Sequence, residues 1–226
     1  FASWHWKAGG AASSNSDGTT TSSVSVNTTA GFSIVSYAGS GSAGATVGHG
    51  LSQTPDLIII KNRSAITNWV VNSPITNSGF TEWALKLDLD QATSTDSTIW
   101  NNTAPTSSVF TLGTAGESNR NNPDNYIAYC FHSVEGYSKV GSYTGNGATD
   151  GPFIYTGFKP AFIMVKLVTA ASGYWVMFDN KRDPDNPTGR VFYADISAIS
   201  TDVSSYHPYD LLSNGFKSRI PGGNGN

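Results

Sequence analysis

The chain has 226 residues, a formal net charge of -3 and 13% charged residues, about half the share of an ordinary soluble domain. Lys and Arg form no stripe able to neutralise a row of phosphates, the densest basic spot being Lys181 and Arg182, which excludes nucleic acid as a partner. No apolar run approaches the roughly 20 residues that span a bilayer, so insertion by a membrane-spanning helix is not expected.

Ser and Thr make up about a quarter of the chain, with 24 Gly and 10 Pro, a composition that argues against long helices and predicts an all-β fold. The single cysteine, Cys130, rules out an intramolecular disulfide, so stability has to come from core burial. The opening residue is Phe1, and the residues after it lack the basic, apolar, small-residue order of a signal peptide, so this end reads as cut or processed.

Trp4 and Trp6 alternate with Ser3 and His5, a period-two pattern that fits the last strand of an upstream domain, a strand laid on a neighbour or an exposed end. Residues 10 to 30 hold almost nothing able to pack a core and read as a Ser/Thr-rich linker or an extended strand. The segment 1–30 is therefore expected to stand apart from the rest of the chain.

From Gly31 the chain resembles itself with a period near 105 residues by eye, the signature of two copies of one unit. Tyr37 aligns with Tyr143, Gly39 with Gly145, Gly41 with Gly147, Pro55 with Pro160 and Lys61 with Lys166. The register continues through Trp69 and Trp175, Trp100 and Tyr206, and Phe110 and Phe216. Each copy shows short strands separated by turn signals, with glycines placed as hairpin turns, and LIIIK and AFIMVK read as central strands. The expected fold class is thus all-β, two tandem β-sandwich-like units, at 31–136 and 137–226. NYIAYCFHSVEG closes the first copy, whereas the second has no counterpart before IPGGNGN, so its closing strand is expected from another chain or from further sequence.

The words WKAGGAA, NTTAGFSIVSY, PDLIIIKNR, WNNTAPTSSVF and EGYSKVGSYTGNG with DGPFIYTGFKPAF resemble a recurrent module of marine bacteriophages, found toward the C-terminus of tail-fibre-like virion proteins. The resemblance covers nearly all of residues 6 to 219. It implies a location on the virion surface and other virion chains as partners, commonly in a homo-oligomer, and it carries no catalytic residue.

Candidate chemistry is sparse. A glycosidase needs two carboxylates across a groove, and Asp88 with Asp90 on one face of KLDLDQ is only loosely compatible with that. Asp183, Asp185 and Asn186 in NKRDPDNPTGR offer hard oxygen ligands for calcium, but Pro184 and Pro187 favour a structural turn. Cys130 and His132 share a strand face without further partners, so no metal or cofactor is expected, and no enzyme. Lys61 and Lys166 are expected either to lift their ammonium groups to solvent or to pair with carboxylates.

Aromatics, Asn, Asp and Gly suit contact with a bacterial surface glycan and equally suit a virion β-scaffold. Trp69 and Trp175, inside apolar strands, are expected in the core. Trp100 and Tyr206, beside polar loops, and His207 and Tyr209, in a Pro-containing loop, are the candidate ligand-binding residues. The function expected is a non-catalytic virion surface module that presents or recognises host glycans, or else a purely structural, assembly or decoration module.

Overall fold

Alternation of buried and half-buried residues along NYIAYCF sets the frame, because side chains two apart share one face of a strand. This strand is β10 (Asn125–Phe131), and it pairs antiparallel with both β3 (Phe32–Ala38) and β5 (Leu57–Asn62). In the computed structural model, residues 3–73, 83–120, 124–197, 201–202 and 209–219 are described. The fold is all-β, and its one described α-helix is the single turn α1 (Ser97–Trp100). Two units form, Phe1–Lys86 with Ser94–Val140, and Leu87–Thr93 with Gly141–Asn226.

In unit 1 an eight-stranded antiparallel sheet runs β1 (Ser13–Asn15), β2 (Ser22–Asn27), β3, β10, β5, β6 (Val70–Asn72), β7 (Trp83–Lys86) and β8 (Ser94–Thr95). A second sheet pairs β4 (Ala45–Gly48) with β9 (Val109–Leu112). Val35, Tyr37, Ile58, Ile60 and Ala128 of the large sheet pack with Val47, Phe110 and Leu112 of the small one. The turn α1 adds Ile99 and Trp100 to that core; the Asp96 carboxylate caps its start by accepting from the Thr98 amide at 2.9 Å, and Asn101 ends it in the left-handed conformation, as capping chemistry predicts.

One loop is pinned to the end of this sheet by buried polar groups. The Tyr126 ring stacks on Tyr37 at 5.2 Å and 12°. Its hydroxyl donates to Gly116 O at 3.0 Å and accepts from the Arg120 amide at 2.8 Å and from Asn62 Nδ2 at 3.2 Å. Asn119, fully buried, accepts from the Ser40 and Gly41 amides and donates to Gly113 O and Ser42 O. Every polar atom of that side chain is thereby used, which is what a buried amide requires.

Unit 2 holds a four-stranded sheet, β12 (Phe162–Lys166), β13 (Trp175–Asp179), β14 (Arg190–Tyr193) and β15 (Thr201–Asp202). It also holds a three-stranded one, β11 (Phe153–Tyr155), β17 (Gly215–Ser218) and β16 (Tyr209–Leu212). Ile163, Val165, Val176, Phe178 and Val191 pack with Tyr209, Leu211 and Phe216. The order β12-β13-β14-β15 matches β5-β6-β7-β8 in unit 1. The difference is that β5 also pairs with β10, whereas the sheet neighbour of β12 among the described residues is β13 alone.

Several expectations change. Residues 1–30 are no separate linker, because Ser13–Asn15 and Ser22–Asn27 extend the large sheet of unit 1. Their alternate residues Ser22 and Val24 are buried, so a Ser/Thr-rich strand needs few apolar residues when one face alone is covered. The unit boundary falls after Val140 rather than 136, and Leu87–Thr93 belongs with unit 2. The glycine-rich turn after β3 joins two sheets instead of closing a hairpin, since β3 pairs with β2 and β10 and β4 with β9. Strand β10 lies in the middle of its sheet, not at an edge.

This packing sets two expected outcomes. Tyr126→Phe leaves the Asn62, Arg120 and Gly116 polar groups without their shared partner and is expected to cost about 2 kcal/mol, read as a lower urea midpoint at unchanged slope. His49 is fully buried, its Nδ1 accepting from the Leu51 amide and its Nε2 meeting Thr106 O. Burial is the main force holding its pKa below 6.5, against the opposing Thr106 carbonyl and the Asp17 charge, with His132 lowering it further. The unfolded chain therefore takes up the proton first, so stability is full above pH 6.5 and falls as pH drops from 6.5 toward the folded-state value. In His49→Asn the stability profile, measured by urea unfolding across that interval, is expected to be flatter.

Candidate functional site

Of the four ligand-binding residues nominated from sequence, the two that are described lie inside. Trp100 is 2% exposed and Tyr209 is 0% exposed, so neither is a surface contact. Tyr209 packs 5.1 Å from Phe178, and its hydroxyl meets that of Tyr143 at 3.4 Å. Burial pushes its pKa well above the usual tyrosine value. The reason is local: β16 is a strand with Tyr209, Asp210 and Leu211 all buried, so the Pro-containing segment ends before Tyr209. Tyr206 and His207 lie outside the described residues.

The acidic turn is structural where it is seen. The Asp183 carboxylate accepts from the Gly189 amide at 2.7 Å and the Arg190 amide at 3.2 Å. Asn186 donates to Leu211 O and accepts from the Leu211 amide, a two-way tie that clamps the turn to β16, while Asp185 stays exposed. Among the described residues no three His, Cys, Asp or Glu side chains gather as a metal site. Asp88 and Asp90 lie beyond the end of β7, Asp88 in a turn and Asp90 in irregular backbone, rather than sharing a strand face.

Cys130 faces the unit 1 core at 0% exposure, and burial pushes its thiol up to about 12, outweighing the opposing influence of the Ser33 side chain. It is therefore a small apolar filler rather than a nucleophile. Lys61 and Lys166 take a third course beyond the two expected. Each ammonium donates to the backbone of the loop that follows its strand, Lys61 to Thr67 O and Lys166 to Gly173 O, and Lys166 also reaches Asp90 O at 3.0 Å. Asp179 shows the same economy: burial alone would raise its pKa, but the Arg182 amide and guanidinium and the Lys181 amide outweigh that and hold it low.

A candidate surface is the outer face of the eight-stranded sheet. Strand register places Ile34, Tyr129 and Ile59 side by side on it, and Phe32, Phe131 and Leu57 in the next row. Tyr129, Phe131, Ile34 and Ile59 are half-buried. Trp69 is half-buried too, its ring lying nearly parallel to that of Tyr129 at 20° and 6.4 Å. The Lys61 ammonium stands 5.7 Å from the Trp69 centroid, within cation–π range. Farther along, Phe131 lies 4.7 Å from Phe32, and Trp6, 45% exposed, meets Phe131 edge-on at 6.1 Å.

The segment before β1 borders this face. Asn27 Nδ2 donates to Lys7 O at 3.1 Å and Ser25 Oγ to Gly10 O at 2.7 Å. A side chain at Gly9 would come within 1.8 Å of Val26 O, so only glycine permits that approach. Aromatic faces beside a cation and a row of amides and hydroxyls are the groups that hold a sugar ring, apolar on one face and hydroxylated at its rim. Sequence reasoning missed Tyr129 and put Trp69 in the core. The available signal was that both alternating faces of NYIAYCF are apolar although the sheet has one covering layer.

No curated protein and no solved structure matches the chain. A family described as a domain of unknown function, DUF7483, matches it over residues 1–226, and the chain belongs to that family.

Proposed function

We propose that the chain is a non-catalytic, tail-fibre-like module of a phage virion surface that recognises host-surface glycans. The resemblance of its sequence words supplies the virion context. The observation that carries recognition is the half-buried Trp69 and Tyr129 ring pair beside Lys61 on an open sheet face. Support for a non-catalytic role comes from the use made of carboxylates, with Asp179 ion-paired to Arg182, Asp210 to Arg219, and Asp183 bound to backbone amides. A pair so engaged is poorly placed to exchange protons across a scissile bond.

A second reading, an assembly or decoration module joined to other virion chains by strand pairing, is favoured by β12, whose counterpart β5 is paired on both sides. Strand addition at an edge is a recurrent mode of association, and a homo-oligomer closed by one repeated interface fits this reading.

The test is binding of the purified chain to an array of bacterial surface polysaccharides, read beside its light-scattering mass so that avidity is separated from affinity. Saturable binding to one sugar class, weakened at least about tenfold by Tyr129→Ala and by Trp69→Ala, is expected. Because both rings are half-buried, each change is expected to cost only about 1 to 2 kcal/mol of stability, leaving the variants folded. Silence across the array from a folded oligomer transfers the assignment to the assembly reading.

A further inference from the structure

The outer face of the unit 1 sheet changes character across its width. Beyond the aromatic half, register sets Ser14 opposite Ser23 and Ser23 opposite Ser36. Three hydroxyls thus stand in one row across β1, β2 and β3, spaced by about 4.8 Å, the distance between neighbouring strands. None of the three makes a side-chain hydrogen bond with a described residue, unlike Ser25 and Asn27, which are spent holding the bordering segment.

Two open grooves meet on this row and share Ser23 and Ser36. One, of about 790 Å³, lies along the bordering segment from Lys7 to Ala12 and includes Ile34. The other, of about 410 Å³, extends past Ser14 to Arg63 and Asn125. Among the described residues, the charged ones lining either groove are Lys7 and Arg63, both exposed, and no described carboxylate lines them. On a chain of net charge -3 this is a locally positive channel with a hydroxylated floor, of a volume usual for ligand sites.

We infer that this channel binds an acidic oligosaccharide. The inference rests on the glycan-recognition reading above and adds the ligand class. The Ser14, Ser23 and Ser36 hydroxyls and the Asn125 amide exchange hydrogen bonds with sugar hydroxyls, each serving as donor or acceptor as the ring requires. Ile34 lies under an apolar sugar face. Lys7 toward one end and Arg63 toward the other pair with acidic substituents, the Arg63 fork matching a carboxylate or sulfate in two hydrogen bonds. Two cations toward opposite ends of the channel suit a short oligosaccharide bearing carboxylates, whereas a nucleic acid backbone calls for a basic stripe.

The experiment is calorimetric titration of the full chain with hexagalacturonate, with neutral maltohexaose and with dextran sulfate. Saturable binding of hexagalacturonate is expected, at least tenfold tighter than maltohexaose. It is expected to fall at least tenfold in Ser23→Val/Ser36→Val and in Lys7→Ala/Arg63→Ala, with unfolding midpoints kept. The second pair is fully on the surface, so it decides the matter even where the serine pair disturbs the sheet. Equal affinity for maltohexaose overturns the acidic preference. Glycan binding undiminished in the Lys7→Ala/Arg63→Ala variant places recognition elsewhere and overturns this inference alone. Binding of dextran sulfate only, indifferent to the serine pair, reduces the channel to nonspecific charge and overturns it. Silence toward all three probes from a folded chain overturns the channel, and silence across the wider polysaccharide array overturns the glycan reading with it.

Discussion

Strand β10 is held between β3 and β5 along its length, and unit 1 depends on that insertion. It brings residues far apart in sequence into one sheet, and it carries Tyr126, whose ring stacks on Tyr37 while its hydroxyl gathers three partners from β5 and the loop before β10. A hydroxyl in that position must be satisfied, because an unpaired polar group away from water costs as much as several buried methylenes gain. The loop from Gly113 to Arg120 is consequently fixed by the same groups that fix the strand, with Asn119 completing the attachment to the turn after β3.

A central strand has two faces, and the second sheet covers one. On the covered side Ala128 and Cys130 are small and fully buried, leaving room for Phe110 and Leu112. On the other side Tyr129 and Phe131 remain half-buried beside Trp69, Phe32 and Trp6. This partly apolar face, bordered by hydroxyls and cations, is the feature on which the proposed glycan recognition rests. The proposed virion role rests on the resemblance of sequence words, and the proposed recognition rests on the sheet face, so the two parts of the proposal stand on separate grounds.

Much of the architecture was legible in the sequence, for reasons that are local. Alternation in SIVSY, LIIIK and YIAYCF, the Gly and Pro punctuation and the scarcity of helix formers specify strands whatever their neighbours are. The candidate site was far less legible. Tyr209 reads as a loop aromatic beside Pro208, yet it lies on β16 with its ring in the unit 2 core. Asp183 and Asn186 form the structural turn that Pro184 and Pro187 favour, but the sequence does not name the amides of Gly189, Arg190 and Leu211 that hold it. For Tyr209 and Asn186 the deciding partner is brought by a distant segment, and a one-dimensional pattern does not contain it.

By itself, then, the sequence determined the all-β class, the strand-rich segments and the absence of a basic stripe or disulfide, since these come from composition and period. Only the tertiary structure decided which face of each strand is covered, where β10 is inserted, that residues 13–27 join the sheet, and that Ser14, Ser23 and Ser36 form one row. The physical reason is that a strand has no stable face of its own: period two sorts its side chains into two sets, and the order of neighbouring strands and the layer packed above them determine which set meets water.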